Sequence, residues 1–228
     1  MNAPELEEHP ADGGSGSTEP EGARVTIGVP VYNGEDYLAE TLDSVLAQTY
    51  DHLVILIADN ASTDRTREII ADYERRDHRV SSILNETNIG AAPNYNLVLG
   101  RATTEYFGWL SADDVLEPTY IERAVELLDG HEDAVCVYSN ASRIDESGHV
   151  VGDYVEAMAS MDLANDDPAV RFRHAVLGFP AIVLFGVMRR QQMLEGPGHG
   201  AYIGGDRVFF DGSGECTLTV SQPGDVDW

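Results

Sequence analysis

Adjacent carboxylates, Asp113 and Asp114, stand just after the apolar run Tyr106-Phe-Gly-Trp-Leu110 and the short turn Ser111-Ala112. Two hard oxygen ligands delivered by the C-terminal end of a buried strand suit Mg²⁺ or Mn²⁺ held against a diphosphate. The same pair also suits a plainer task, capping the helix that Pro118 opens, with a favourable dipole interaction and no metal. Asp59 closes a second apolar run, Leu53-Val-Ile-Leu-Ile-Ala58. His52, His78, His131, His149 and His174 show no ligand spacing, which leaves zinc unassigned, and His199 in Gly196-Pro-Gly-His-Gly200 reads as a solvated loop histidine.

Alternating strands and helices must position those carboxylates. Val25-Thr-Ile-Gly-Val29 is a β-branched run ended by Pro30, a first buried strand. After the turn Tyr32-Asn-Gly34, residues Leu38, Leu42, Val45 and Leu46 fall on one helical face, with Glu35 and Asp36 at the positive end of its dipole. The run 53–58 is apolar throughout, as a strand covered on both faces must be, and Ser62, Thr63 and Asp64 offer N-caps for a helix through Ile69, Ile70 and Tyr73. Residues 80–84 as strand, a loop over 85–90 and a helix to about Leu99 make a third unit, and 106–110 is the fourth strand. An amphipathic helix over 121–128 and a strand over 134–138 follow. The pattern then changes to a polar hairpin over 143–155, a helix over 168–177 and a buried strand over 182–188. The alternation predicts an α/β fold with a doubly wound, mostly parallel central sheet. Its ligand edge lies at the strand C-termini, where residues 30–33, Asp59 and Asp113 converge.

Charge narrows the partners. Forty acidic residues against fourteen basic ones give −26, and every basic residue is Arg. Such a surface repels nucleic acid and anionic lipid, so a nucleotide ligand must be bound locally with the help of a cation. Cys136 and Cys216 make no disulfide framework, which points to the cytoplasm. Residues 1–22 carry neither the basic nor the apolar region of a secretory signal. The longest apolar run, 181–188, falls short of the ~20 residues a spanning helix needs. No transmembrane segment is expected, and peripheral membrane contact stays open. The chain has no Gly-x-Gly-x-x-Gly, no phosphate-binding loop with Lys and no Gly-x-Ser-x-Gly, which argues against a dehydrogenase, an NTPase and a serine hydrolase.

Several ordered motifs carry a resemblance. Val29-Pro-Val-Tyr-Asn33, Leu42-Asp-Ser-Val-Leu46 with Gln48, and Ala58-Asp-Asn-Ala-Ser-Thr-Asp64 closely resemble the opening of family 2 glycosyltransferases, the inverting nucleotide-sugar enzymes of the GT-A fold. Asn88-Ile-Gly90, Glu105-Tyr106 and Ser111-Ala-Asp-Asp114 continue the match in order. Gly204-Gly-Asp-Arg-Val-Phe-Phe210, preceded by Gly186-Val-Met-Arg189, is similar to the acceptor-side segment of bacterial spore-coat polysaccharide-type members. The resemblance covers residues 24–210.

It implies roles position by position. Pro30, Val31, Tyr32 and Asn33 resemble the loop that holds the base, with the Tyr32 ring against uracil or thymine; the plainer reading packs that ring in the loop or on the first helix. Asp59 resembles the carboxylate that accepts from the pyrimidine imide N–H, and it equally suits an Asx-turn cap. Ser111 and Ala112 fall at the ribose, Ser111 replacing the first acidic residue of the family's Asp-X-Asp motif. Asp113, with Asp114 assisting through water, matches the ligand of a divalent ion on the diphosphate. Asp206 resembles the catalytic base, or else caps a helix through Val208-Phe-Phe210. Gly90, Ala91 and Ala92 stand where related enzymes often carry Arg, which leaves the diphosphate to the metal, to backbone N–H groups or to an Arg such as Arg207.

The expected organisation is a disordered acidic tail over 1–23, a GT-A domain over 24–210 and an atypical or cut-short segment over 211–228. Within the domain, 24–118 is the nucleotide half and 119–210 the acceptor half. The expected activity is Mn²⁺- or Mg²⁺-dependent inverting transfer from a UDP- or dTDP-sugar to a hydroxyl on a glycan or lipid-linked acceptor, in polysaccharide or glycan synthesis. The alternative is a non-catalytic nucleotide-sugar- or partner-binding module with a degenerate metal motif.

Overall fold

The computed structural model describes residues 22–153, 167 and 184–195. Residues 1–21 of the tail expected over 1–23, the helix expected at 168–177, the segment 204–210 with Asp206 and Arg207, and His199 and Cys216 lie outside the described residues.

Three β-α units open the chain: β1 (Val25–Val31), α1 (Leu38–Leu46), β2 (Leu53–Asp59), α2 (Thr66–Arg76), β3 (Val80–Leu84) and α3 (Ala91–Arg101). Then come β4 (Tyr106–Trp109), α4 (Tyr120–Gly130) and β5 (Cys136–Val137), the hairpin β6 (Ser142–Ile144) and β7 (Val150–Asp153), and finally β8 (Val187–Arg189) with α5 (Arg190–Leu194). The central sheet has the order β3-β2-β1-β4-β8-β5. β1 pairs in parallel with β2 and β4, and β2 with β3, whereas β8 runs antiparallel to both its neighbours. The sheet is therefore mixed and mostly parallel, as the alternation predicts. The strand expected over 182–188 is shorter and begins later. Just before it, a Cβ on Gly186 would stand 2.7 Å from Cys136 Sγ and from the Val137 carbonyl oxygen, so only bare backbone slips in beside β5.

Alternation along the strands loads both faces. Val25, Ile27, Val29 and Val31 pack with Leu38, Leu42 and Val45 of α1, Ile70 of α2 and Leu128 of α4. Phe107 and Trp109 face the other way, with Val98 and Leu99 of α3 and Met193 of α5. Gly28 is the close-approach point of that second layer, since a Cβ on it would lie 2.8 Å from Phe107 Cζ. The buried polar pair Thr26 and Thr104 answer each other across a 2.7 Å hydrogen bond, which removes the penalty of their burial.

Gln48 ties the first helix to the fourth. Its Nε2 donates to the Glu117 carbonyl at 2.8 Å, and its Oε1 accepts from the Ile121 N–H at 3.0 Å. α4 has no side-chain cap of its own at Thr119, so the buried Gln48 satisfies its first turn from outside. Asp113 and Asp114 are not the caps of α4.

The N-terminal edge of the sheet is held by charge. Arg24 grips Asp129 with two 2.8 Å bonds and Glu105 with two more, of 2.7 and 3.0 Å, while the Tyr106 hydroxyl donates to Asp129 at 2.6 Å. The Arg24 and Tyr106 bonds push the Asp129 carboxyl down to about 2. A carboxyl depressed in the folded chain contributes stability that is present above its unfolded value of about 3.9 and is lost as pH falls through the folded value. Its side chain is 44% exposed, so solvent screening keeps the contribution small. Denaturant midpoints should thus fall more steeply between pH 4 and pH 2 for the wild type than for Asp129→Asn. Parallel acid limbs in the two proteins would count against this account.

Candidate functional site

The chain turns from one side of β1 to the other at the β1/β4 pair, so a crevice opens beyond the carboxyl ends of those strands. The loops that leave β1, β2 and β3 are tied to one another by side chains. The Asn60 N–H donates to the Val31 carbonyl at 2.8 Å, and its side chain holds Asn88 at 3.0 Å and the Ile89 N–H at 2.9 Å. Asn33 receives the Thr63 N–H on Oδ1 and gives its own N–H to Ser62 Oγ, both at 2.9 Å. Asn85 and Asn94 pair at 3.0 Å, and Asn94 also holds the Ala58 carbonyl at 2.8 Å. The backbone at Asn33 and Ala61 is left-handed, with φ of 54° and 62°, an unfavourable conformation for alanine that these ties over-determine.

Glu35 belongs to this clasp. Its carboxylate accepts from the Arg65 N–H at 3.0 Å, at the start of α2, while its own N–H donates to Asp64 Oδ2 at 3.1 Å. Its charge therefore serves the dipole of α2 rather than that of α1, because the β1 loop folds over the neighbouring helix.

Tyr32 stands 51% exposed, so its ring is open at the rim rather than packed on α1. Asp59 is wholly buried. Its carboxylate accepts from the Ser62 N–H at 3.2 and 3.3 Å and from Arg67 Nε at 2.6 Å. This is a loop-closing turn together with an ion pair, and nothing in the letters around Asp59 announces Arg67 as its partner.

The β4 loop meets the β1 loop. A Cβ on Gly34 would lie 2.6 Å from Val31 Cγ2 and 3.6 Å from the Ala112 Cβ, so Ala112 sits against the turn that follows Tyr32. Asp113 is exposed and lines a cleft of about 220 Å³, shared with Tyr37 and Glu40 at the start of α1 and with Ile144 and Asp145 of the β6–β7 hairpin. Desolvation raises the Asp114 carboxyl, the charge of Asp113 raises it further, and a Ser111 hydrogen bond opposes both. Residues 30–33, 59 and 111–114 thus gather along one edge, and Asp206 lies outside the described residues. A larger cavity, about 460 Å³, opens at the far end of β2 beside His52 and Asp77, away from these carboxylates.

Among the described residues no group of three or more His, Cys, Asp or Glu could by itself hold a metal ion. No helix among these residues is long and apolar enough to cross a membrane.

Comparison with known proteins agrees with this architecture. TuaG of Bacillus subtilis, named as a glycosyltransferase of teichuronic acid biosynthesis, is 38% identical over 104 residues, 46% of this chain and 41% of that protein. Glycosyltransferase GlyA of Streptococcus pneumoniae is 31% identical over 134 residues, 57% of this chain and 19% of that protein. The chain thus spans less than half the length of either relative. Among solved structures, S. aureus TarS in complex with UDP superposes with a TM-score of 0.58 at 19% identity, over 75% of this chain and 48% of that one. The mannosyltransferase PcManGT from Pyrobaculum calidifontis, in complex with GDP-Man and Mn²⁺, gives 0.58 at 20%, over 88% and 53%. Both likenesses bear on the fold. The profile of Glycosyl transferase family 2 matches residues 26–177, two-thirds of the sequence, and with the GT-A arrangement of strands and loops it makes this chain a member of that family.

Proposed function

We propose that the chain carries the donor site of a metal-dependent inverting glycosyltransferase, which moves a sugar from a UDP- or dTDP-sugar to a hydroxyl of a glycan or lipid-linked acceptor in cytoplasmic polysaccharide synthesis. The observation that carries this is the single rim at the β1/β4 crevice, where the open ring of Tyr32, the Asp59 turn and the exposed carboxylate of Asp113 lie on loops bound to one another. Residues 24–118 form the nucleotide half and 119–210 the acceptor half, and the cleft beside Asp113 runs between the two.

Tyr32 offers a face for a base to stack on. Asp113 and Asp114 are the residues that fit Mn²⁺ or Mg²⁺; bound there, the ion neutralises charge gathering on the departing nucleoside diphosphate. Asp206 takes the proton of the acceptor hydroxyl as that oxygen bonds to the anomeric carbon and the bond to diphosphate breaks. One displacement on the face opposite the leaving group inverts the centre. That the two solved structures of like fold hold UDP, and GDP-Man with Mn²⁺, supports this reading.

Ser111, in place of an acidic residue, favours a second reading in which the chain binds a nucleotide-sugar without turning it over. Titrating UDP into the protein with and without Mn²⁺ tests the shared part of both. Affinity should rise by at least about tenfold with the metal, and equal affinity in its absence would remove the ion from the site.

A further inference from the structure

Arg67, in the first turn of α2, is the outward half of a pair whose inner half is buried. Its Nε donates to Asp59 Oδ2 at 2.6 Å and its Nη2 to the Asn85 carbonyl at 2.6 Å, so the guanidinium bridges the carboxyl ends of β2 and β3. The Asp59 side chain is 0% exposed and that of Arg67 is 42% exposed. A ligand arriving from solvent therefore meets the guanidinium first, with the carboxylate held immediately behind it. Arg24, Arg79 and Arg189 are committed at the opposite edge of the sheet, to Asp129, to Asp77 and to the Leu128 carbonyl, and Arg65 turns to Glu68.

A planar fork fixed at two points offers its remaining N–H groups in a set direction, which a Lys could not do. Beside it lies an acceptor. Donor next to acceptor complements a base edge that carries C=O next to N–H, the edge of uracil, thymine and guanine. Cytosine and adenine present the reverse, an amino donor next to a ring-nitrogen acceptor, and would leave both protein groups mismatched. We propose that Arg67 is a specificity-determining residue of the base subsite, which selects nucleotides with adjacent C=O and N–H through its pairing with Asp59. This rests on the nucleotide-sugar reading above and adds the class of base.

The test is calorimetric titration of the full chain with UDP and with CDP, both in Mn²⁺. The wild type should prefer UDP by at least about tenfold, and Arg67→Gln should narrow that preference to about threefold or less. Arg67→Lys, which keeps the charge and loses the fork, should fall between. The ratio is taken on one protein sample, so a partly unfolded variant does not distort it. If the two residues act as a unit, Arg67→Gln added to Asp59→Asn changes the ratio no further. An Arg67→Gln protein with the wild-type ratio overturns the role of Arg67 and leaves the nucleotide-sugar reading intact. A wild type that binds UDP and CDP equally well overturns base selection, and one that binds neither overturns both readings.

Discussion

Asp113→Asn is expected to remove the Mn²⁺-dependent part of UDP binding, lowering affinity in saturating metal by about 10²-fold while metal-free affinity stays within about twofold. Asparagine keeps the shape of the side chain and one carbonyl oxygen but loses the charge that a hard divalent ion needs. The fold makes the experiment clean. Gln48, not either carboxylate, supplies the first turn of α4, so the substitution leaves no helix end unsatisfied and the melting temperature should hold. Asp114→Asn should cost less, about tenfold, if Asp114 assists the ion through water as proposed. Calorimetry with and without Mn²⁺ reads both variants. An Asp113→Asn protein with undiminished metal dependence would move the ion elsewhere.

The parts of the fold that could be read from the sequence were those written in single runs. Residues 53–58 are apolar in every position, and such a strand has to be covered on both faces; β2 is, with α1 and α2 packed on one side and α3 on the other. Because Asp59, Ser111 and Asp113 each follow such a run, their place at the carboxyl edge followed from topology alone. Direction and partnership were not legible. The three residues of β8 carry no mark of an antiparallel strand wedged between β4 and β5, since pairing direction depends on a partner about 50 or 80 positions away. Glu35 looked like a charge for its own helix, and only the folding of one loop over another hands it to α2. Asp59 and Arg67 are eight positions apart across a loop with a left-handed alanine, a spacing that belongs to neither strand nor helix. One signal was present and passed unread: Asn33, Asn60, Asn85 and Asn88 stand just beyond strand ends and Asn94 in the first turn of α3, and these side chains tie the rim together.

Asp206→Asn should lower the rate at which a UDP-sugar is broken down by about 10²–10⁴-fold and leave metal-dependent UDP affinity within about twofold of the wild type. The asymmetry follows from where a base acts. It touches the acceptor oxygen as that atom attacks and makes no bond to the nucleotide, so its loss is felt in the transition state and not in the bound donor. Water can stand in for the sugar acceptor, which allows the measurement as UDP release in the presence of Mn²⁺ with the acceptor unidentified. Three results separate the readings. Release by the wild type alone makes Asp206 the base of a working transferase. Equal release by both proteins takes Asp206 out of the mechanism, while the rim of Tyr32, Asp59 and Asp113 keeps its nucleotide. Release by neither, with metal-dependent UDP binding in both, leaves a module that holds a nucleotide-sugar without transferring it, and then Ser111 is the first position to restore to Asp.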